Sequence, residues 1–279
     1  MFYLIIAILL SSTLSILMRI SEKYVKGNIA MLAVNYVSCA VVGLMFTGVD
    51  KVFMAAEGFG LSIGLGLIGG ALYLGGFLLL QFNIKHNGVV LPATFMKLGL
   101  LVPIVVSITI FGERPQILQI IGFAVALAAI LLINFDKDAV SKNFKPIWLV
   151  VLLLIAGFGD TTTKVFDELG NPALADQFLL FLFGAACIVA VILTAVKKQK
   201  IGKWELLFGV LIGVPNYLSS RFMLMALNYL PAVIVYPTFS VGGIVVVTLA
   251  GVLFFKEKLS KKQLGALGLI MVALTMLNI

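Results

Sequence analysis

The sequence predicts an all-α integral membrane protein with ten transmembrane helices, arranged as two inverted five-helix repeats. Of the 279 residues, 62% are hydrophobic and only 11% are charged, whereas about 25% of residues are charged in typical soluble domains. Residues 61–134 align with residues 205–278 without a gap, at a constant offset of 144. The composition therefore predicts a membrane protein, and the alignment predicts that it arose by duplication.

Ten apolar stretches divide the chain, and each is close to the roughly 20 residues that a helix needs to cross the hydrocarbon core. The alternation typical of barrel strands is absent, so we expect the backbone to satisfy its hydrogen bonds within helices. The connections are short, and no soluble domain is expected between the helices. The predicted helices are 3–24, 29–48, 59–83, 89–111, 116–134, 147–167, 173–195, 205–228, 232–255 and 260–278.

Polar and aromatic residues recur in one register of the repeat, whereas two unrelated apolar stretches would share only Leu, Val and Ile by chance. The first helix aligns with the sixth at an offset of 145, which indicates a retained helix rather than a signal peptide. The two repeats are therefore predicted at 1–136 and 145–279. The matching pairs include Tyr73 and Tyr217, Thr94 and Thr238, Gly99 and Gly243, Glu113 and Glu257, Gln119 and Gln263, and Asn134 and Asn278.

The number of helices in each repeat determines how the repeats are related. A unit with five crossings ends on the opposite face of the membrane from where it began, so the second unit is inserted upside down. Inverted repeats of this kind suit alternating access, because a site between them opens to either side when two similar units exchange conformations. The architecture therefore predicts a transporter.

The ends of helices four and nine carry a shared pattern, Phe111-Gly112-Glu113-Arg114 and Phe255-Lys256-Glu257-Lys258, each followed by a helix that contains glycine. With its length and five-plus-five duplication, the chain resembles the drug/metabolite transporter (DMT) superfamily, specifically ten-helix EamA-type transporters. The resemblance implies a central cavity lined by helices one, three, four, six, eight and nine. It also implies that helices five and ten are peripheral.

Three ionisable residues inside predicted helices are candidate substrate-binding residues, because a charge at bilayer depth is costly and should face a cavity or a partner. Lys97 in helix four has Val241 as its repeat-mate, so the fold of the repeat does not require a lysine there. Its side chain either faces the cavity or extends to the nearer membrane interface. Arg221 and Asp160 lie at similar depth and could pair across the bundle; the alternatives are a purely structural ion pair and contact of at least one member with the substrate. Lys164, near the end of helix six, is interpreted as an interfacial charge.

Uncharged polar residues extend this candidate site. Helix eight presents Tyr217, Arg221 and Asn228 on one face with Asn216 beside them, and a polar stripe in a lipid-embedded helix is expected to turn inward. Tyr73 is the repeat-mate of Tyr217, so the pair could act as gates or aromatic walls, with ordinary packing as the alternative. Weaker substrate-binding candidates are Asn35, Thr94 and Thr238.

The charges of the candidate site indicate the substrate class, because Lys97 and Arg221 outnumber Asp160. We expect a secondary transporter of a small anionic or zwitterionic metabolite, such as an amino acid or an organic acid. The small multidrug exporters related to the superfamily rely on a Glu within their first helix, whereas here no acid precedes Glu22, so a cation antiporter of that type is not expected. The alternative is a flippase of a lipid-linked or phosphate-bearing headgroup.

Enzymatic chemistry finds little support in the sequence. His86 is the single histidine, there is no HExxH motif, and both cysteines lie within predicted helices, so we expect no enzyme, metal or cofactor. The expected partners are a small-molecule substrate and membrane lipid, with a homodimer left open. No nucleic acid is expected, because the net charge of +8 has a topological origin.

Basic residues lie mainly on one side of the predicted membrane. Fifteen Lys and Arg residues lie in or beside the loops that follow odd-numbered helices, against three on the opposite face. Positive residues stay cytoplasmic, so both termini are predicted to be extracytoplasmic in a cell membrane, a bacterial inner membrane being expected. Several members of the superfamily are drawn with both termini inside, and the charge bias departs from that pattern.

Overall fold

The structure, a computed structural model, describes residues 1–53, 56–87, 90–134, 146–256 and 261–278. Within these ranges the fold is all-helical and contains no strand, which confirms the predicted fold class. Eight helices in the described ranges are long and apolar enough to cross a membrane, and α5 and α10 are shorter. The helices are α1 Phe2–Ser21, α2 Asn28–Thr47, α3 Phe59–Asn87, α4 Val90–Leu98 and Leu101–Thr109, α5 Ile117–Asn134, α6 Pro146–Leu169, α7 Ala175–Val196, α8 Lys203–Leu227, α9 Ala232–Phe255 and α10 Lys261–Leu277.

The helices form two compact units that do not follow the sequence repeats. Unit 1 comprises Met1–Leu74 and Val165–Asn228, and unit 2 comprises Gly75–Lys164 and Tyr229–Ile279. Each unit therefore combines helices from both halves of the chain. Apolar faces of the first half are buried on faces of the second half, as when α5 packs on α10 in unit 2.

In unit 1, α1 packs on α8, and α2 packs on both α7 and α8. Close approach of α2 and α8 depends on small residues, as is common where helices pack within membranes. A Cβ atom added at Gly209 would lie 2.5 Å from Val34 Cβ, and one at Gly213 would lie 2.5 Å from the Asn35 carbonyl oxygen. Side chains at these two glycines would force the helices apart.

In unit 2, α4 is broken after Leu98, within the range 89–111 that the sequence predicted as helix four. Pro103 has no N–H to donate to the Gly99 carbonyl, which instead accepts from the Val102 N–H at 2.9 Å. Gly99 also packs on the backbone of α6, because a Cβ atom added there would lie 3.0 Å from the nitrogen of Gly157. Proline and close packing together account for the break.

Candidate functional site

A buried ion pair lies in unit 2, between α6 and the connection that follows α4. Lys164 Nζ is 2.9 Å from Glu113 Oε1, and the two side chains are 2% and 13% exposed. The same carboxylate accepts hydrogen bonds from the backbone N–H groups of Ala232 at 3.0 Å and Val233 at 3.4 Å. Glu113 therefore neutralises a buried ammonium and also occupies the N-terminus of α9, where negative charge is favourable.

Local sequence explains how Glu113 reaches this position. Gly112 has a φ of 71°, a left-handed conformation that glycine adopts without the steric cost of a Cβ atom. The chain turns there, and the Glu113 N–H donates to the Ser107 carbonyl at 3.0 Å, which satisfies an acceptor near the end of α4. Its repeat-mate Glu257 lies outside the described residues.

The interpretation of Lys164 as an interfacial charge is wrong, because the side chain is almost fully buried. The signal that could have found it was weak: three threonines precede it in α6, and all three are buried. Thr161 and Thr162 donate to their own helix, at the carbonyls of Gly157 and Gly159. No local pattern indicated Glu113 as the partner of Lys164, since the two residues lie far apart in the chain.

Unit 2 also contains four of the predicted site residues. Lys97 is exposed and lies in the last turn of the first segment of α4, where a cation is favourable beside the helix C-terminus. The backbone carbonyl of Asp160 accepts a hydrogen bond from the Tyr236 hydroxyl at 3.0 Å, and the Asp160 side chain is half-buried. Thr94 and Thr238 are buried, and the Thr238 hydroxyl has no hydrogen-bond partner within the described part of the chain.

A second ion pair lies in unit 1, where the Arg221 guanidinium binds Asp176 in a bidentate manner. Arg221 Nε lies 2.7 Å from Asp176 Oδ1, and Arg221 Nη2 lies 3.2 Å from Oδ2. The two side chains are 22% and 24% exposed, so the pair is accessible as well as satisfied. The guanidinium carbon also lies 4.3 Å from the centre of the Phe46 ring, a cation–π contact from α2.

The predicted pairing of Arg221 with Asp160 is therefore corrected, because the carboxylate that binds Arg221 is Asp176. Helices α7 and α8 are consecutive and joined by a short connection, which places the start of α7 beside the end of α8. Asp176 is the second residue of α7, where a carboxylate is favourable near the helix N-terminus. Matching residues by depth alone missed this partner, since Asp176 lies at a helix end.

Tyr217 belongs to an aromatic layer below the Arg221 pair. Its ring stacks on Phe46 with centroids 5.9 Å apart and contacts Phe183 at 5.7 Å. The residue is 0% exposed, and its hydroxyl finds no hydrogen-bond partner in the described residues. Tyr73, its repeat-mate, is only half-buried, so the two tyrosines have different environments.

A short polar seam, formed by Asn35 and Cys39 of α2 and by Asn216 and the Gly213 carbonyl of α8, lies next to this aromatic layer. Asn216 Nδ2 donates to Asn35 Oδ1 at 3.2 Å, and the Cys39 thiol donates to the Gly213 carbonyl at 3.2 Å. Asn35 is 2% exposed, so the seam is part of the packed interior of unit 1. No group of three or more His, Cys, Asp or Glu residues is arranged to hold a metal ion in the ranges that the structure describes.

The predicted site residues thus form two groups. Unit 1 holds Arg221, Tyr217, Asn216, Asn35 and Tyr73, and unit 2 holds Lys97, Asp160, Thr94 and Thr238. The structure brings Asn35 to Asn216 and adds residues that the sequence did not propose as site residues. Those additions are Asp176, Phe46, Glu113 and Lys164.

Comparisons with known proteins agree with this architecture. Residues 177–270, about a third of the chain, match the family model of the Small Multidrug Resistance protein. An uncharacterized protein of Haemophilus influenzae is 28% identical over 281 residues, covering 96% of this chain and 93% of the relative. A protein of known crystal structure is 16% identical with a TM-score of 0.79, covering 99% of this chain and 94% of that chain, which shows the fold.

The matched segment runs from α7 into α10 and includes Tyr217 and Arg221. Together with the eight membrane-length helices of the described ranges, it indicates a multi-pass membrane transporter. The match is consistent with a transporter of the drug/metabolite type.

Proposed function

We propose that the chain is a secondary transporter of the ten-helix EamA type in the drug/metabolite transporter superfamily. It moves a small polar metabolite, anionic or zwitterionic, by alternating access between its two inverted repeats. The gap-free internal repeat, the ten helices and the partial family match support this proposal. Two repeats with an odd number of crossings supply the symmetry that such a cycle needs.

The Arg221–Asp176 pair carries the proposal for the substrate class. Both side chains are partly exposed, and they present one cation and one anion within an otherwise apolar bundle. An amino acid carries the complementary groups, since its carboxylate fits the Nη1 and Nη2 edge of the guanidinium, which Asp176 does not occupy, and its ammonium fits the Asp176 carboxylate. The Asp176 charge offsets that of Arg221, so the site favours a zwitterion over a simple anion.

The aromatic residues beside the pair complete a binding wall. Phe46 lies under the guanidinium and is 46% exposed, while Tyr217 is fully buried behind it. A ligand side chain packed on Phe46 would be held by contact area, and the ion pair would orient its charged end. This division between an apolar wall and a few polar groups is typical of small-molecule sites.

The first experiment is a thermal-shift screen of the purified full chain against amino acids, organic acids, sugars and nucleotides. A ligand present at 100 times its Kd should stabilise the folded state by about 2.7 kcal/mol, and we expect amino acids to give the largest shift. The variants Arg221→Ala, Asp176→Asn and Lys97→Ala are then screened in parallel. Unchanged shifts in both Arg221→Ala and Asp176→Asn, for every anionic or zwitterionic ligand, would exclude this site, whereas a loss in Lys97→Ala alone would assign the ligand to Lys97 instead.

Transport is tested in proteoliposomes with the ligand that the screen identifies. We expect the intact chain to accumulate or exchange it, and we expect Arg221→Lys to reduce the rate because lysine cannot make the bidentate contact. The same vesicles, loaded with a fluorescent phospholipid, test the alternative of a flippase. Headgroup movement without metabolite uptake would replace the proposed function with that alternative.

We also propose that both termini are extracytoplasmic in a bacterial inner membrane, from the bias of fifteen basic residues against three. A phosphatase that is active only outside the cytoplasm, fused after Ile279, should then be active. A fluorescent reporter that matures only in the cytoplasm serves as the matched fusion. Activity of the second reporter alone would reverse the orientation.

A further inference from the structure

Six exposed lysines surround one end of unit 1, where the connection between α1 and α2 meets the connection between α7 and α8. None of them forms an ion pair with a described residue, and the six lysines outnumber the two carboxylates of these connections, Glu22 and Glu205. They lie outside the Arg221–Asp176 site and take no part in the proposed function. The six are Lys23, Lys26, Lys197, Lys198, Lys200 and Lys203.

Two of the six lysines line a cavity of about 340 Å³ between the two connections. Lys26 and Lys200 line it on opposite connections, with Gly27, Gln199 and Gly202 supplying the rest of the wall together with Glu205. A tetrahedral phosphate occupies only part of such a volume, which leaves room for the ester groups attached to it. The cavity is therefore large enough for a lipid headgroup.

The single carboxylate in the wall forms no ion pair with the two lining lysines and carries one negative charge against their two positive charges. Glu205 Oε1 accepts from the N–H groups of Lys26 at 2.9 Å and Gly27 at 3.2 Å, and Oε2 accepts from Gly202 at 3.1 Å. Glu205 is 6% exposed, which keeps its charge on the inner side of the wall. The outward-facing charge of the cavity is therefore positive.

Gln199 adds an uncharged donor to the same wall. Its side-chain oxygen accepts from the N–H groups of Ile29 at 3.1 Å and Ala30 at 3.0 Å, which satisfies the start of α2. This pairing fixes the amide orientation, and the amide nitrogen is left without an acceptor in the described residues. Apart from the Glu205 carboxylate on the inner side of the wall, the polar side-chain groups of the cavity are donors: lysine ammonium groups and an amide N–H₂.

Aromatic residues place this cavity at the membrane surface rather than in open solvent. Tyr24 and Trp204 lie with ring centroids 4.7 Å apart, and Lys203 Nζ lies 5.4 Å from the Trp204 ring. Tyr and Trp of membrane proteins concentrate at the level of the lipid headgroups. Below them, Leu206 and Leu207 are 54% and 46% exposed on α8, which offers an apolar surface to acyl chains.

We propose that this basic cavity binds the phosphate of an anionic phospholipid headgroup. Basic pockets beside membrane helices hold anionic headgroups, and each lysine near the surface adds attraction to such lipids. The apolar face of α8 below the cavity favours a lipid over free phosphate, because only a lipid has chains to cover it. Occupancy would connect the first and second halves of the chain, since the wall includes residues from both.

Native mass spectrometry of the purified full chain tests the proposal through the Kd of individual lipids. Phosphatidylglycerol should bind more tightly than phosphatidylcholine, and Lys26→Gln with Lys200→Gln should raise the Kd of phosphatidylglycerol roughly 10- to 30-fold. The matched control is Lys51→Gln with Lys256→Gln, which removes the same charge at exposed lysines that do not line the cavity. That control should leave the Kd within about twofold.

Two further arms distinguish the outcomes. Inorganic phosphate at millimolar concentration should not displace phosphatidylglycerol; displacement would assign the cavity to a free phosphate and overturn the lipid proposal. Equal Kd values for the two lipids, or an equal loss in the control variant, would also overturn it. The melting temperature of the lipid-free Lys26→Gln, Lys200→Gln variant should match that of the intact chain, because both side chains are exposed.

Discussion

Lys164 Nζ lies 2.9 Å from a carboxylate oxygen of Glu113, and the same carboxylate accepts the first backbone N–H groups of α9. One side chain therefore connects α6, the connection after α4 and the start of α9 within unit 2. A single carboxylate with three partners is well compensated although it is nearly buried. Removing it takes away the 2.9 Å contact with a buried ammonium and both hydrogen bonds to the start of α9 at the same time.

Replacing Glu113 with Ala should lower the free energy of unfolding by about 3–5 kcal/mol, the cost of breaking a buried ion pair from one side. Combining Glu113→Gln with Lys164→Met should recover most of that loss, because the double variant removes both buried charges of the pair. Melting temperatures of purified variants measure both effects. Glu57→Gln, at an exposed position, is the control and should change little. A double variant as unstable as Glu113→Ala would contradict this account.

Changes at the Arg221–Asp176 pair should separate stability from ligand binding. Both side chains are about a quarter exposed or less, and a partly exposed pair of this kind contributes less than about 1 kcal/mol to stability. Arg221→Lys and Asp176→Asn should therefore melt close to the intact chain but lose stabilisation by the ligand found in the screen. A large loss of stability in the absence of ligand would instead indicate a structural ion pair.

Gly99→Ala should destabilise unit 2 by about 1–3 kcal/mol, the usual cost of forcing extra volume into a packed interior. The added Cβ atom would lie 2.9 Å from the Met96 carbonyl oxygen and 3.0 Å from the Gly157 nitrogen. Gly243, its repeat-mate, has nothing within 4 Å of an added Cβ atom, so Gly243→Ala is a matched control. Equal melting temperatures for the two variants would show that the break in α4 is not tightly packed.

Tyr217→Phe should leave the ligand-free protein as stable as before, or more stable by about 1 kcal/mol, because the substitution removes a buried hydroxyl without a partner. Tyr236→Phe serves as the opposite case, since it removes the 3.0 Å hydrogen bond to the Asp160 carbonyl. That variant should lose about 0.5–1.5 kcal/mol. Melting temperatures compared side by side test the difference, and destabilisation by Tyr217→Phe would contradict the environment described for its hydroxyl.

The helices could be read from the sequence because each buries an apolar length set by the bilayer, and that length is a local property of the chain. The bounds of α8, Lys203–Leu227, lie within two residues of the predicted 205–228. The break in α4 was less visible: Pro103 can be read in the sequence, but the close contact of Gly99 with Gly157 involves two distant segments. Proline is a local signal, whereas helix packing is not.

Charged residues show the same division between what a local pattern predicts and what only tertiary contacts decide. Their presence inside apolar helices identified Arg221 and Lys97 as candidates from the cost of burying a charge. Their partners depend on which helices lie side by side, so Asp176 and Glu113 emerged only from the tertiary structure. Depth along a helix predicted Asp160 as the partner of Arg221. This prediction was wrong because depth carries no information about which helix is adjacent.

By itself, the sequence determined the all-helical membrane fold, the ten helices and the internal repeat, since each follows from hydrophobicity and local register. Only the tertiary structure decided that the two compact units combine helices from both halves, that Lys164 is buried on Glu113, and that Asp176 holds Arg221. Those features depend on contacts between residues far apart in the chain, whose free energy comes from packing and from pairing of buried charges. No local pattern encodes such contacts one residue at a time.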